Sequence, residues 1–297
     1  MTMPEPGKSE TLEDGLRRIL APNPGPMTHW GTNTFVIGEG RVAIVDPGPE
    51  SVSHLDAIRR ATRGETITHI LVTHAHLDHS SLTRRIARET GALVHAFGPA
   101  HAGRTEIMNI LARQGLVGGG EGIDEAFRPD IAMNDGDRID GDGWQVQALH
   151  SPGHFAGHLA FSYQGTLISG DHVMDWSSSL VSPPDGDLAA FMATSRRLRD
   201  GGHRRLYPAH GLAIDDPADR LNWLIGHRQA RETAILASLS AIPRSVEWIT
   251  ERVYADIPPN MLPAAMRNVF AHLIDLSERD LVAALPHLAF DARFTRV

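Results

Sequence analysis

Apolar positions along the chain fall into short β-branched runs separated by amphipathic stretches. Thr34-Phe35-Val36-Ile37 and Val42-Ala43-Ile44-Val45 predict two strands joined at Gly38-Glu39-Gly40. Ser51 predicts the cap of a helix reaching Ala61. Ile67-Thr68-His69-Ile70-Leu71-Val72 reads as a buried strand, Ser80–Glu89 as a helix stopped at Gly91, and Leu93–Phe97 as a further strand. Pro99–Gln114 reads as helical, and the glycines of 115–122 forbid regular structure there. That loop is read as a flexible surface loop or a mobile lid. Trp144–Leu149, Leu159–Tyr163 and Thr166–Ser169 predict strands of a second half. Pro217–Leu239 predicts a long amphipathic helix, followed by shorter helices over Ser245–Tyr254, Leu262–Leu273 and Ser277–Leu285. Residues 1–25 predict a poorly ordered lead with one short helix, Leu12–Leu20.

The alternation of strands and helices predicts the α/β class. Two strand-rich halves predict two sheets packed face to face and flanked by helices. The expected division is a main domain over 26–215 and a helical domain over 216–297.

One stretch carries the chemistry. His74, His76, Asp78 and His79 stand in an H-x-H-x-D-H pattern where the strand ending at Val72 gives way to a loop. His74 and His76 alternate as in an extended segment and reach one point, while Asp78 and His79 turn toward a second. Imidazole and carboxylate are ligands for a borderline divalent metal such as zinc. With seventeen histidines in the chain, chance pairs are expected, but four costly polar groups in six positions argue for a task. Three later stretches offer further ligands, each after a strand and beside a glycine: His154, Asp171 and His210. A carboxylate such as Asp171 can bridge two metals.

In this order these residues resemble the metallo-β-lactamase-fold hydrolases over about residues 28–211. The resemblance implies an αββα four-layer sandwich. It implies His74, His76 and His154 on one metal, Asp78, His79 and His210 on the other, and Asp171 between them. With no cysteine present, the branch that places cysteine at the position of Asp171 is disfavoured. Asp171 matches the glyoxalase II, ribonuclease Z and lactamase-β-2-like branches. His227-Arg228 in the long helix, with the short helices that follow, resembles the last of these, where a small winged-helix-like domain follows the hydrolase domain. Members of that branch are endoribonuclease-like or thioesterase-like. Two cations about 3.5–4 Å apart are then expected to activate one water for attack on a carbonyl carbon or a phosphorus. Asp78 is expected to orient that water as well as to ligate. Zinc is the expected metal, with iron and manganese as alternatives.

Supporting roles follow from position. Asp46, at a strand end, is a candidate partner for the outer nitrogen of a ligand histidine, and His158, four residues after His154, is read as a support around the ligands or as a packed strand-edge histidine. His69, inside the strand, is read as structural. Trp176 and Ser178, just after Asp171, are candidates to line a substrate pocket.

Charge separates the two substrate classes left open. The net charge is −8, and residues 213–297 carry nine arginines against eleven acidic residues. No basic footprint is visible, so a small-molecule ester or thioester is favoured over single-stranded RNA. The first ten residues hold no apolar core of a signal peptide and no run approaches membrane-spanning length, so a cytoplasmic protein without membrane contact is expected. A homodimer is compatible with an exposed helical tail, with no residue-level argument for one.

Overall fold

The computed structural model describes residues 3–297. A seven-stranded sheet runs in chain order through β1 (Ser9–Glu13), β2 (Leu16–Leu20), β3 (Asn33–Ile37), β4 (Arg41–Val45), β5 (Thr66–Leu71), β6 (Leu93–Ala96) and β7 (Ile131–Ala132). Its first four strands pair antiparallel and the rest parallel. A second sheet has the order β12-β11-β10-β9-β8, built from β8 (Arg138–Asp140), β9 (Gln145–His150), β10 (Leu159–Tyr163), β11 (Thr166–Gly170) and β12 (Arg205–Pro208).

Side-chain alternation along the central strands explains the layering. Phe35, Ile37, Ala43, Val45 and Leu71 face inward, against Val146, Ala148, Leu159, Phe161 and Ile168 of the second sheet. Their neighbours Val36, Val42, Ile44 and Ile70 face outward, under α1 (Val52–Ala61) and α3 (Thr83–Thr90). On the far side, Ala160, Leu167 and Leu206 pack under Leu198 of α5 (Leu188–Arg199) and Leu221 and Leu224 of α6 (Pro217–Ser238). This is the αββα sandwich. A third core joins the end of α6 to α7 (Val246–Val253), α8 (Leu262–Glu278) and a small antiparallel sheet. That sheet contains β13 (Arg244–Ser245), β14 (Val282–Leu285) and β15 (Arg293–Arg296), and it is the wing of a winged-helix domain.

The elements depart from expectation at three places. Leu12–Leu20 is not a helix and, residues 1–2 lying outside the described residues, 3–25 are not a loose lead: β1 and β2 form a hairpin around Asp14-Gly15, on the edge of the first sheet. Leu16 faces the inter-sheet core and Ile19 the outer one, so the spacing that suggested a helix serves a strand buried on both faces. Ser277–Leu285 is not a helix either. The chain turns at Asp280 (φ 58°), and Val282–Leu285 pairs with Arg293–Arg296. Within Pro99–Gln114 only α4 (Glu106–Arg113) is helical. Among the described residues no helix is long and apolar enough to cross a membrane.

Candidate metal centre

The ends of β5, β9, β11 and β12 converge at one edge of the sandwich. His74 and His76 leave β5 in extended backbone, and α2 (Leu77–Ser80) then turns Asp78 and His79 back toward them. Two glycines shape the later loops. Gly153 (φ 144°) precedes His154, and a Cβ there would collide with Phe191 Cα. Gly170 (φ 53°) precedes Asp171, and a Cβ there would collide with His158 Nε2. Neither position admits another residue without moving its neighbours.

Two groups of ligand atoms result: His74, His76, His154 and Asp171, and then Asp78, His79 and His210. Within each group the atoms lie within 4.8 Å of one another, and all seven residues are buried. His74 Nε2 is 2.9 Å from His76 Nδ1, which is 3.2 Å from His154 Nε2. His210 Nε2 is 3.2 Å from Asp78 Oδ2 and 3.3 Å from Asp171 Oδ1, so Asp171 borders both groups.

Outer hydrogen bonds fix the imidazole tautomers. His154 Nδ1 donates to the Leu180 carbonyl (2.7 Å) and His210 Nδ1 to the Gly31 carbonyl (3.1 Å). His79 Nδ1 donates to Asp46 Oδ2 (2.9 Å). His74 Nδ1 meets Thr73 Oγ1 (3.0 Å), whose hydroxyl donates to Asp46 Oδ2 (2.7 Å). In all four residues Nε2 is left facing inward. Converging on one buried space, these nitrogens and two carboxylates need positive charge among them, from protons on the imidazoles or from bound cations. Asp78 Oδ1, Asp171 Oδ1 and His79 Nε2 have no hydrogen-bond partner although buried. Burial alone would lower His210, yet the carboxylates of Asp171 and Asp78 raise it to about 10. Burial likewise opposes charge on His79, and Asp78, Asp171 and Asp46 pull it well above its ordinary value. The site demands cations, and an all-nitrogen-and-oxygen donor set suits divalent metals. The residues present fit such a pair of ions.

Each sequence-predicted residue has a definite place. The seven candidate ligands are brought together. Asp46 anchors Thr73 and His79. His158 sits behind Asp171: its Nε2 accepts from the Asp171 backbone N–H (3.1 Å), and its Nδ1 meets Ser151 Oγ (2.7 Å). His69 stands apart, between His95 and Trp144. Trp176 and Ser178 line the cavity that opens from the centre, about 230 Å³ in volume. Its walls are largely apolar, with Met27, Met174, Leu180, Ile257 and Met261. The sequence reading named His227 only within the family resemblance and did not single out Arg231, Tyr254 or Asn268, which α6, the end of α7 and α8 supply with it to the same cavity. Their polar character amid apolar helix positions was the available signal.

The 115–122 loop is a strap rather than a free lid. The Val117 carbonyl accepts from Arg267, and the Gly119 N–H donates to Ser182 Oγ (2.9 Å). Leu77 N donates to the Gly122 carbonyl (3.0 Å), which holds the strap over His76.

Sandwich and buried ligand clusters together define a metal-dependent hydrolase. Residues 27–210 match the metallo-beta-lactamase superfamily and residues 245–287 the beta-lactamase associated winged helix domain. The chain belongs to the metallo-β-lactamase superfamily, in its lactamase-β-2-like branch. It is 30% identical to a beta-lactamase-like protein 2 homolog of Caenorhabditis elegans, over 94% of this chain and 89% of that one. It is 26% identical to the atrochrysone carboxyl ACP thioesterase of Claviceps purpurea, over 86% of this chain and 76% of that one. A metallo-beta-lactamase family protein from Thermus thermophilus superposes with a TM-score of 0.76 at 25% identity, covering 97% of this chain and 100% of its own.

Proposed function

We propose that this chain hydrolyses an ester or thioester of a small acyl compound at a centre of two divalent metal ions. The observation that carries the reading is the convergence of seven buried ligand groups beside a cavity with largely apolar walls. His74, His76 and His154 would hold one ion, Asp78, His79 and His210 the other, with Asp171 between them. Zinc suits this set first, and iron or manganese compete according to availability. When bound, such a pair supplies a water that ionises near neutral pH and polarises the oxygen that gains charge.

The chain's own residues do the rest. The apolar walls take the acyl body and exclude bulk water, which strengthens every electrostatic contact at the reacting carbon. Asp78 is held through Oδ2 by the Thr32 hydroxyl (3.2 Å), and its Oδ1 is left to accept a proton from the attacking water. Trp176, 37% exposed, and Ser178 border the entrance and orient the leaving group. In balance, water adds to the carbonyl carbon, the C–S or C–O bond breaks, and the proton ends on the departing thiol or alcohol. The relative named as an acyl-carrier-protein thioesterase supports this class.

A hydrolysis panel tests the reading: acyl thioesters, lactones, bis-p-nitrophenyl phosphate and single-stranded RNA, each with and without chelator. Chelator-sensitive turnover is expected on an ester or thioester. Efficient RNA cleavage abolished by His76→Ala, with no acyl hydrolysis, would replace the acyl reading with a phosphodiesterase.

A further inference from the structure

The cavity has a second polar end that the metal centre does not use. His227 and Arg231 on α6 and Tyr254 just past α7 form it. Arg231 is the one arginine in the lining, which holds no lysine. The carboxylates there are Asp78 and Asp171 of the metal centre and Glu121 of the strap. The half-buried Arg231 guanidinium donates from Nη1 to the Val253 carbonyl (2.7 Å) and lies over the Tyr254 ring (4.2 Å). No carboxylate of the described residues pairs with it.

Its neighbours on α6 likewise hydrogen-bond only to neutral acceptors, although Asp175 acts on Arg220 across space. Arg220 donates to the carbonyls of Met174 (2.7 Å) and Ser177 (2.7 Å). Arg228, fully buried, donates to Asn268 Oδ1 (2.9 Å) and to the Ser179 carbonyl. Neutral acceptors satisfy N–H groups but do not cancel charge. Elsewhere arginines find carboxylates, as Arg59 does with Glu89 and Arg197 with Asp135. His227 feels the result. Burial first, and then the charges of Arg228, Arg231 and Arg220, push its imidazole down to about 4. Three guanidiniums without a hydrogen-bonded carboxylate therefore stand along this side of the cavity, in a protein of net charge −8. A planar guanidinium in a partly dry cavity is suited to one carboxylate or phosphate.

We propose that the substrate is an anionic acyl ester or thioester whose carboxylate or phosphate, remote from the reacting carbonyl, docks on Arg231 between His227 and Tyr254. This rests on the acyl-hydrolase reading. The anion has two sources, the far end of the acyl chain or the thiol carrier, and both present the same charged oxygens.

The test uses the full chain loaded with zinc and three thioesters: neutral hexanoyl-N-acetylcysteamine, adipoyl-N-acetylcysteamine with an acyl carboxylate, and hexanoyl-coenzyme A with carrier phosphates. The protein is expected to favour one anionic thioester over the neutral one by about tenfold or more in kcat/KM, the order expected for one charge-assisted contact. The preferred thioester identifies the source. Arg231→Gln keeps a donor for the Val253 carbonyl, so the fold is retained. It is expected to erase most of that preference through KM, and Arg231→Lys to restore part of it. On the unmodified protein, adipate should inhibit neutral thioester hydrolysis at roughly tenfold lower concentration than hexanoate, because both offer a carboxylate to the metals and only adipate has a second. Equal rates on all three thioesters, equal inhibition by the two acids, or full preference in a folded Arg231→Gln would overturn the assignment while leaving the acyl reading standing. No hydrolysis of any of the three would overturn both.

Discussion

Asp46 shows how one residue organises a site it does not enter. It accepts from Thr73 N (2.7 Å), Thr73 Oγ1 (2.7 Å) and His79 Nδ1 (2.9 Å), fixing the strand end that carries His74 and the ring of His79 together. Its backbone lies in the left-handed region (φ 49°), where asparagine is also tolerated. Asp46→Asn should fold but hold metal roughly 10–100-fold more weakly, the usual cost of losing an outer partner of a ligand. Competition with a chromophoric chelator would show it. An unchanged metal affinity would remove Asp46 from the account. This residue was legible because it ends a strand beside the ligand motif. The carbonyls of Leu180 and Gly31, which orient His154 and His210, were not, since a backbone group leaves no mark in the residue types.

At the scale of elements, the C-terminal helices reach into the hydrolase domain through Asn268. Its Oδ1 accepts from Val181 N (3.1 Å) and Arg228 Nη1 (2.9 Å), while Arg228 also donates to the Ser179 carbonyl. Residues 179 and 181 are thus pinned on either side of the carbonyl that orients His154. Asn268→Ala should cost roughly 1–3 kcal/mol of stability, because it strips acceptors from buried donors. It should also weaken metal binding, and Asn268→Asp, which keeps the acceptor, should restore both. A loss of Tm with unaltered metal affinity would show that α8 does not position the site. The central strands of both sheets and the helices α1, α3, α6, α7 and α8 were legible from period and β-branching, whereas α5 and the short strands β7 and β8 were not read. The hairpin at residues 9–20 and the wing were not legible: Leu16, Ile19 and Leu20 satisfy a helical period as well as a strand buried on both faces, and Val282–Leu285 follows the apolar helix α8 after only Arg279-Asp280-Leu281.

For the whole molecule, summed charge and local charge point in opposite directions. Nine arginines against eleven acidic residues in the tail suggested no positive feature. Folding places Arg220, Arg228 and Arg231 along α6 beside the cavity with only neutral acceptors. A count cannot reveal this, because it ignores which carboxylates the fold brings within reach. The proposed chemistry depends on the seven converging groups holding metal. The direct measurement is elemental analysis of gently purified protein, followed by chelation and stepwise return of zinc while thioester hydrolysis is recorded. The account predicts about two divalent ions per chain, and activity that disappears and returns with them. Fewer than about 0.2 ions per chain, with no uptake on adding zinc and undiminished hydrolysis after chelation, would contradict it.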